Sequence, residues 1–473
     1  MPDRILLPLI VACALFMENL DSTVLSTSLP AIAADFGTSP IHLKLALTSY
    51  LLAIAVFIPA SGWLADRFGA RAIFRLAIVT FTVGSIFCGL SGSMVTIVCA
   101  RIVQGIGGAM MVPVGRLVIL RSVPKAQLVG SLAWLTVPAL IGPVVGPPLG
   151  GFITTYFVWR WIFWINVPVG VLGLVLATLF IPDVRGEQRV QFDALGFVLS
   201  GLGLALFMTG STTFGLDILP RPLVVGIVLA GTACIVAYVI HGRRVANPII
   251  DLTLLAIPTF RMSMIGALLF RLGVGATPFL LPLLLQIGFG MTPFQSGTIT
   301  FVSAAGAIAM KFTAPGLLRR HGFRTVLVLN ALIASAFVAL PALFTPETPV
   351  ALMTVLLFIG GFFRSLQFTS VNALNFADVP QERMSRATTL TSVAQQLSLS
   401  VGISLGALML EITTRLSGGA ISADSFWPAF LVIALLSAVS AIPFALLARD
   451  AGDEMSGRRT LAPDPVTVMR ERG

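Results

Sequence analysis

Charge is scarce in this chain: Asp, Glu, Lys and Arg make up 11% of its 473 residues, against 56% hydrophobic, and the mean hydropathy is +0.97. No soluble core needs that much apolar sequence, so the composition is that of an integral membrane protein. Histidine is nearly absent, and His42, His241 and His321 fall at the ends of apolar runs or in loops, which argues against an intramembrane metal site or a histidine proton relay. Cys13, Cys88, Cys99 and Cys234 lie inside apolar runs with no CxxC and no histidine at ligand spacing, so they read as small buried hydrophobes. Cys88 and Cys99 fall near one membrane face, but nothing requires them to pair. There is no GxxxxGK[ST], no clustered histidine and no paired Asp motif, which leaves an ATP-driven pump, a membrane-embedded enzyme or a sensor without support. No cofactor or metal is expected. The formal charge of +10 would point to nucleic acid on a soluble protein; here the Arg residues fall between apolar runs and report topology instead.

What the chain does have is long apolar runs. Read at about twenty residues per span, they predict helices over 5 to 34, 43 to 65, 72 to 92, 95 to 120, 127 to 153 and 161 to 181; then 194 to 213 and 222 to 241; then 262 to 287, 292 to 317, 323 to 344, 349 to 374, 387 to 414 and 427 to 448. That is fourteen spans in an all-α membrane protein. They divide as a six-helix bundle over 1–190, two linker helices over 191–245, a second six-helix bundle over 246–450 and a polar tail over 451–473 expected to be disordered. The first run lacks a small-residue cleavage site and is followed by further spans, so it reads as a retained helix. The linker helices carry no membrane-buried charge, with Asp217 and Arg221 in their connecting loop, and read as a spacer. Loops on one side hold Arg67, Arg71, Arg75, Arg121, Lys125, Arg185, Arg189, Arg243, Arg244, Arg319, Arg320, Arg324, Arg383 and Arg386; the other side offers Lys44, Arg160, Arg221 and Arg415. The positive-inside rule then makes both termini cytoplasmic.

Four stretches carry chemistry. The first span holds Glu18 and Asp21, and one acid at the bilayer centre costs roughly 2.5 to 3.5 kcal/mol on insertion scales. Three residues apart they share a helix face, which should look into protein or a watered cavity. Arg101, followed by Gln104-Gly105-Ile-Gly107-Gly108, puts a cation in the fourth span, and Asp21 or Glu18 is its natural partner; the glycines permit close helix contact. Gly142-Pro143-Val-Val-Gly146-Pro147-Pro148-Leu-Gly150-Gly151 marks the fifth span as a thin, kinked helix able to rock over a neighbour. The loop Gly62-Trp-Leu-Ala-Asp66-Arg67-Phe-Gly69-Ala-Arg71 closes the second span, and a worn copy, Pro315-Gly-Leu-Leu-Arg319-Arg320-His-Gly322-Phe-Arg324, closes the second span of the last six. Gly62 would let the helix end close to a neighbour, and Asp66 is the one acid among Arg67, Arg71 and Arg75. Such a repeat is the plan of many secondary transporters.

With Leu20-Asp21-Ser-Thr-Val-Leu-Ser26-Thr-Ser-Leu-Pro30 and Trp159-Arg-Trp-Ile-Phe-Trp-Ile-Asn166-Val-Pro168-Val-Gly170 added, the chain resembles the major facilitator superfamily and, within it, the fourteen-helix drug:proton antiporter branch. The loop is similar to that family's GxLaDrxGrk except at Ala70; the fourth span to RxxqGxgaA; the fifth to the antiporter motif, with Ala133 where a leading glycine is usual; the first to LDxTxxNxALP, with Ser26 where Asn is usual. Glu18 lies outside the signature and could be an added proton or cation site or a group that stays protonated. The resemblance implies a major facilitator fold in a bacterial inner membrane, a loop that latches the cytoplasmic side in one conformation, and export rather than uptake. In the repeat, Arg319 replaces the acid, so any latch there is not equivalent.

The expected function is proton-coupled efflux of lipophilic or cationic drugs by alternating access, with Asp21, Glu18 and Arg101 as the proton-coupling groups. Arg271, Gln104, Phe16, Phe279, Arg364 and Gln367 are the candidate cavity residues. Arg271 lies deeper; Lys311 and Arg364 could equally snorkel, most such polar positions are more often helix-to-helix glue than substrate contacts, and one-off aromatics are more often packing or lipid contact. The alternative is antiport or uptake of an anionic or neutral metabolite bound by Arg271, Arg364 and Lys311. Expected partners are a small molecule, protons and lipid, with no nucleic acid, for a monomeric chain.

Overall fold

With no water to satisfy its backbone, an apolar run in a membrane must close its hydrogen bonds within itself. A computed structural model describes residues 3–122, 128–182, 191–213, 220–417 and 420–453, and all regular structure among them is helical. The helices are α1 (Asp3–Asp35), α2 (Lys44–Phe68), α3 (Ala70–Leu90), α4 (Met94–Ser122), α5 (Leu128–Tyr156), α6 (Trp161–Trp164), α7 (Asn166–Phe180), α8 (Ala194–Thr213) and α9 (Arg221–Gly242). After a linker follow α10 (Pro258–Val274), α11 (Thr277–Leu283), α12 (Pro293–His321), α13 (Phe323–Ala339), α14 (Val350–Leu374), α15 (Met384–Leu416), α16 (Trp427–Val439) and α17 (Ala441–Ala445). Twelve stretches among the described residues are long and apolar enough to cross a membrane, so this is a multi-pass membrane protein. The fifth and tenth expected spans fold as α5 and α12, 29 residues each, outside those twelve. Lys125, Arg185, Arg189, Asp217 and the tail from 454 onward lie outside the described residues.

Three expected spans are not single helices. The run 161 to 181 divides at Ile165, 262 to 287 begins earlier at Pro258 and divides at Gly275 and Ala276, and 427 to 448 divides at Ser440. Each break precedes a proline, Pro168, Pro278 or Pro443, and the residue four before it, Trp164, Val274 or Val439, is the last of the preceding helix. Proline has no N–H for that carbonyl and its ring crowds it, so the ladder ends there.

The repeated loop is one turn built twice. Gly69 joins α2 to α3 at φ 94° and Gly322 joins α12 to α13 at φ 73°, and their N–H groups bond back to Ala65 O at 3.0 Å and Leu318 O at 2.8 Å. A residue that ends one helix and starts the next with positive φ needs glycine.

In the first half α1 lies against α4, α5 and α7, and α4 against α2 and α3; in the second, α12 and α13 lie against α14, and α10 against α15 and α16. The halves meet along α5–α12 and α2–α15. Between them in sequence, α8 and α9 pack on each other through Gly203, Gly210 and Gly231, and α8 leans on α2. Outside the spans, buried Asp251 accepts hydrogen bonds from Thr253 N at 3.0 Å and Arg383 Nη2 at 2.9 Å, with Arg386 Nη1 at 3.4 Å, tying the linker after α9 to the start of α15. Burial works against its charge, but the bonds from Thr253 and Arg383 win and hold the Asp251 carboxyl below the usual carboxylate range.

A carboxyl lowered on folding adds stability above its unfolded pKa and loses it as pH falls through the folded value. Asp251→Asn is therefore expected to destabilise the purified protein by about 1–3 kcal/mol at neutral pH. The gap in denaturation midpoint from wild type should close as pH drops below about 4. A gap that stays constant down to that pH would contradict the assignment.

Candidate functional site

Asp21 is buried, and three donors converge on it from two other helices: Arg101 Nη1 reaches Oδ2, Gln104 Nε2 reaches Oδ1 at 2.7 Å, and Asn166 Nδ2 reaches Oδ1 at 2.9 Å. Arg101 is fully buried, donates through Nε to Ala46 O at 3.1 Å and through Nη1 to Gln104 Oε1 at 2.7 Å, and stacks 4.1 Å above the Tyr50 ring. Ser85 Oγ accepts from Gln104 at 2.7 Å and from Asn166 at 3.3 Å. The network thus takes side chains from α1, α2, α3, α4 and α7. Its positioning is local chemistry: the Pro168 break leaves Asn166 as the first residue of α7. Glycines let α4 close in, since a Cβ on Gly105 would lie 2.7 Å from Tyr50 O and one on Gly107 2.5 Å from Phe81 N. Glu18 is half-buried nearby; its Oε2 has no hydrogen-bond partner among the described residues, and it feels the charges of Asp21 and Arg116.

The glycines of α5 form a stripe at every fourth residue. A Cβ would meet Leu20 N at 3.0 Å from Gly142, Thr23 Oγ1 at 2.0 Å from Gly146 and Val24 O at 2.5 Å from Gly150, so α1 lies directly on this stripe. Gly151 turns to the other half, where a Cβ would lie 2.3 Å from Pro293 O, and a Cβ on Gly297 of α12 would lie 2.2 Å from Pro147 O. Phe294 N donates to Thr155 Oγ1 at 3.0 Å and Gln286 Nε2 to Thr27 O at 2.9 Å, so these contacts gather where α1 and α5 end, on the face away from the Arg-rich loops. The loop behaves differently from expectation at one point: nothing lies within 4 Å of a Cβ on Gly62, so the close approach expected there is not made. Arg67 is exposed, and Arg71 donates to Thr178 O near the end of α7, where a helix carries partial negative charge. Asp66 lies on the last turn of α2 beside it.

A cavity of about 260 Å³ opens between the halves, lined by Thr23 and Ser26 of α1, Val144 and Pro147 of α5, and residues of α11, α12, α13 and α14 that include Ser303, Lys311, Phe337 and Arg364. Of the six expected cavity residues only Arg364 is in this lining. Gln104 belongs to the Asp21 network instead. Gln367 is fully buried and joins α14 to α13, accepting from Asn330 Nδ2 at 2.7 Å and donating to Leu327 O at 3.2 Å. Phe279 is core with no exposed surface, and Phe16 is half-buried against the same core. Arg271 is buried, donates to Asn372 Oδ1 at 2.8 Å and faces the Phe368 ring at 5.4 Å. Asp21 is not in the lining either: Thr23, two residues on, is roughly 200° around the helix. Lys311, read as equally able to snorkel, lines the cavity.

Sequence reading passes over four members of the site. Asn166 sits in a quoted stretch but gives no sign of reaching Asp21, and Ser85 and Tyr50 have no local pattern at all. Arg116 was legible: it is a cation inside the fourth span and obeys the same rule as Arg101.

Residues 11–194 and 263–469 match the Major Facilitator Superfamily. Putative multidrug resistance protein MdtD of Salmonella paratyphi B is 38% identical over 94% of this chain and 95% of its own length, and the Salmonella typhimurium protein of the same name is equally similar. Among solved structures, a D-xylose–proton symporter aligns with TM-score 0.70 at 15% identity over 96% of this chain and 99% of its own. The nucleoside transporter NupG aligns with TM-score 0.64 at 15% identity over 94% and 98%. At these identities the structures speak for the fold alone.

The glycine geometry makes a paired prediction. Gly146→Val must push α1 off α5 and should cost at least about 1–3 kcal/mol of stability, whereas Gly62→Ala, in open space, should leave the denaturation midpoint unchanged. Equal effects of the two in a detergent melting assay would contradict the stripe.

Proposed function

The chain belongs to the major facilitator superfamily, a family of membrane transporters, and we propose that it is a proton-coupled exporter of small amphipathic molecules working by alternating access. The observation that carries this is the Asp21–Arg101 pair buried in the middle of a membrane bundle. Protonating Asp21 removes the charge that Arg101 faces, and a guanidinium left without its carboxylate in a low-dielectric interior must find another partner or draw water. Because α1 carries Asp21 on one face and the cavity residues Thr23 and Ser26 on another, that rearrangement moves the cavity wall. One proton driven by about 100 mV supplies roughly 2.3 kcal/mol, near a fiftyfold gradient.

On this reading α5 and α12 also cross the membrane, giving fourteen spans: bundles at 1–190 and 246–450 with two linker helices at 191–245 between them. The chain acts as a monomer in a bacterial inner membrane, and its Arg-rich loops put both termini on the cytoplasmic side. Glu18, beside Arg116, is a second proton site, and the Gly142–Gly151 stripe is the surface on which α1 and α5 move as one. Drug export is favoured by the relatives named for multidrug resistance. The apolar cavity wall suits a lipophilic body, but the lining has no carboxylate for a cationic one.

In proteoliposomes with an imposed pH gradient, Asp21→Asn should reduce proton-driven uphill transport at least tenfold while substrate exchange at equal pH persists. Wild-type uphill rates in that variant would overturn the proposal.

A further inference from the structure

Two cations line the cavity and no acid does. Lys311 of α12 makes no ion pair among the described residues, and Arg364 of α14 spends one N–H on Ser303 Oγ at 3.1 Å and meets no carboxylate. The acids of the spanning helices are elsewhere: Asp21 is engaged by Arg101 on the far side of α1, Glu18, near Arg116, is outside the lining, and Glu411 of α15 pairs with Arg415. Beside them the wall is mostly apolar, with Leu281, Ile308 and Phe337, and carries the hydroxyls of Thr277, Thr300 and Ser303. Two uncompensated cations inside a membrane protein are costly unless an anion joins them. Both turn to the same open cavity between helices, where Lys311 is exposed and Arg364 half-buried.

We propose that this cavity binds an amphipathic organic anion, with its carboxylate or sulfonate between Lys311 and Arg364 and its apolar body against Leu281, Ile308 and Phe337. This names the cargo class and rests on the transporter reading. A guanidinium pairs with a carboxylate through parallel N–H donors, and Arg364 has donors to offer beyond the one on Ser303. The ammonium of Lys311 acts as a point charge that tolerates differing head groups, which suits a cavity whose other contacts are apolar side chains and a few hydroxyls.

The test uses the purified full chain with radiolabelled salicylate as the anionic probe and tetraphenylphosphonium as the cationic one, by binding in detergent and by transport in proteoliposomes. Salicylate should bind, and Lys311→Gln and Arg364→Gln should each weaken it at least tenfold, while Lys311→Arg retains it. Lys311→Glu should reverse the preference toward tetraphenylphosphonium, which a merely structural lysine would not do. Salicylate binding unchanged in every variant, or no salicylate binding at all, overturns the site. If tetraphenylphosphonium alone is transported and its transport depends on Asp21, the anion site falls and the transporter reading stands. If salicylate binds through Lys311 but no pH gradient moves it, the site stands and the coupling falls. Loss of salicylate binding on adding phosphatidylglycerol to phosphatidylcholine liposomes would assign the site to a lipid headgroup and overturn a soluble cargo.

Discussion

A carboxylate and a guanidinium facing each other inside a membrane bundle constrain this molecule more than any other contact. Separating such a pair by deleting one member costs on the order of 3–5 kcal/mol, since the survivor is stranded. Keeping it requires partners for the remaining donors and acceptors, and most are met: Gln104 bridges Asp21 to Ser85, Asn166 closes the other side, and the Tyr50 ring covers the guanidinium, while Arg101 Nη2 and the Tyr50 hydroxyl have no hydrogen-bond partner among the described residues. The glycines of α4 and the proline that breaks the sixth span follow from this need. They bring Arg101 and Asn166 within reach of a helix they would otherwise miss.

Twelve of the span positions were legible because hydropathy is a property of the segment, and the repeat was legible because a positive-φ glycine has few substitutes. The breaks were half-legible. Pro168, Pro278 and Pro443 end helices, whereas Pro30, Pro59 and Pro113 lie inside α1, α2 and α4, which continue. Proline alone does not decide; neighbouring groups that can take up the freed carbonyl do, and those are tertiary. The same limit governs the site. Arg101 announced its need for an acid, so its partner could be named, but nothing in a sequence distinguishes a glutamine that serves that pair from one that faces a cavity. Gln104 and Gln367, candidate cavity residues, make helix-to-helix hydrogen bonds in the structure.

The two halves share a turn but divide the chemistry. Gly69 and Gly322 do the same work, yet Asp66 corresponds to Arg319, and the second half has no counterpart of the Asp21–Arg101 pair among the described residues. Its deep groups meet neutral partners, Arg271 with Asn372 and Gln367 with Asn330, and its remaining cations turn to the cavity. The buried Asp21–Arg101 pair thus lies in the first half and most of the cavity wall in the second, with α1 belonging to both.

That division has an energetic consequence for the direction of transport. A cation leaving as a proton enters moves no net charge, so only the pH difference drives it. An anion leaving as a proton enters moves two charges with an inside-negative field, roughly 4.6 kcal/mol at 100 mV, or more than three decades of gradient. Anion and proton attract, however, so a shared site would favour carrying them together rather than in exchange. Exchange requires that they bind apart and compete through conformation. On the proposed reading, Asp21 on one face of α1 and the cations of α12 and α14 across the cavity would meet that requirement, since α1 carries both Asp21 and, in Thr23 and Ser26, part of the cavity wall.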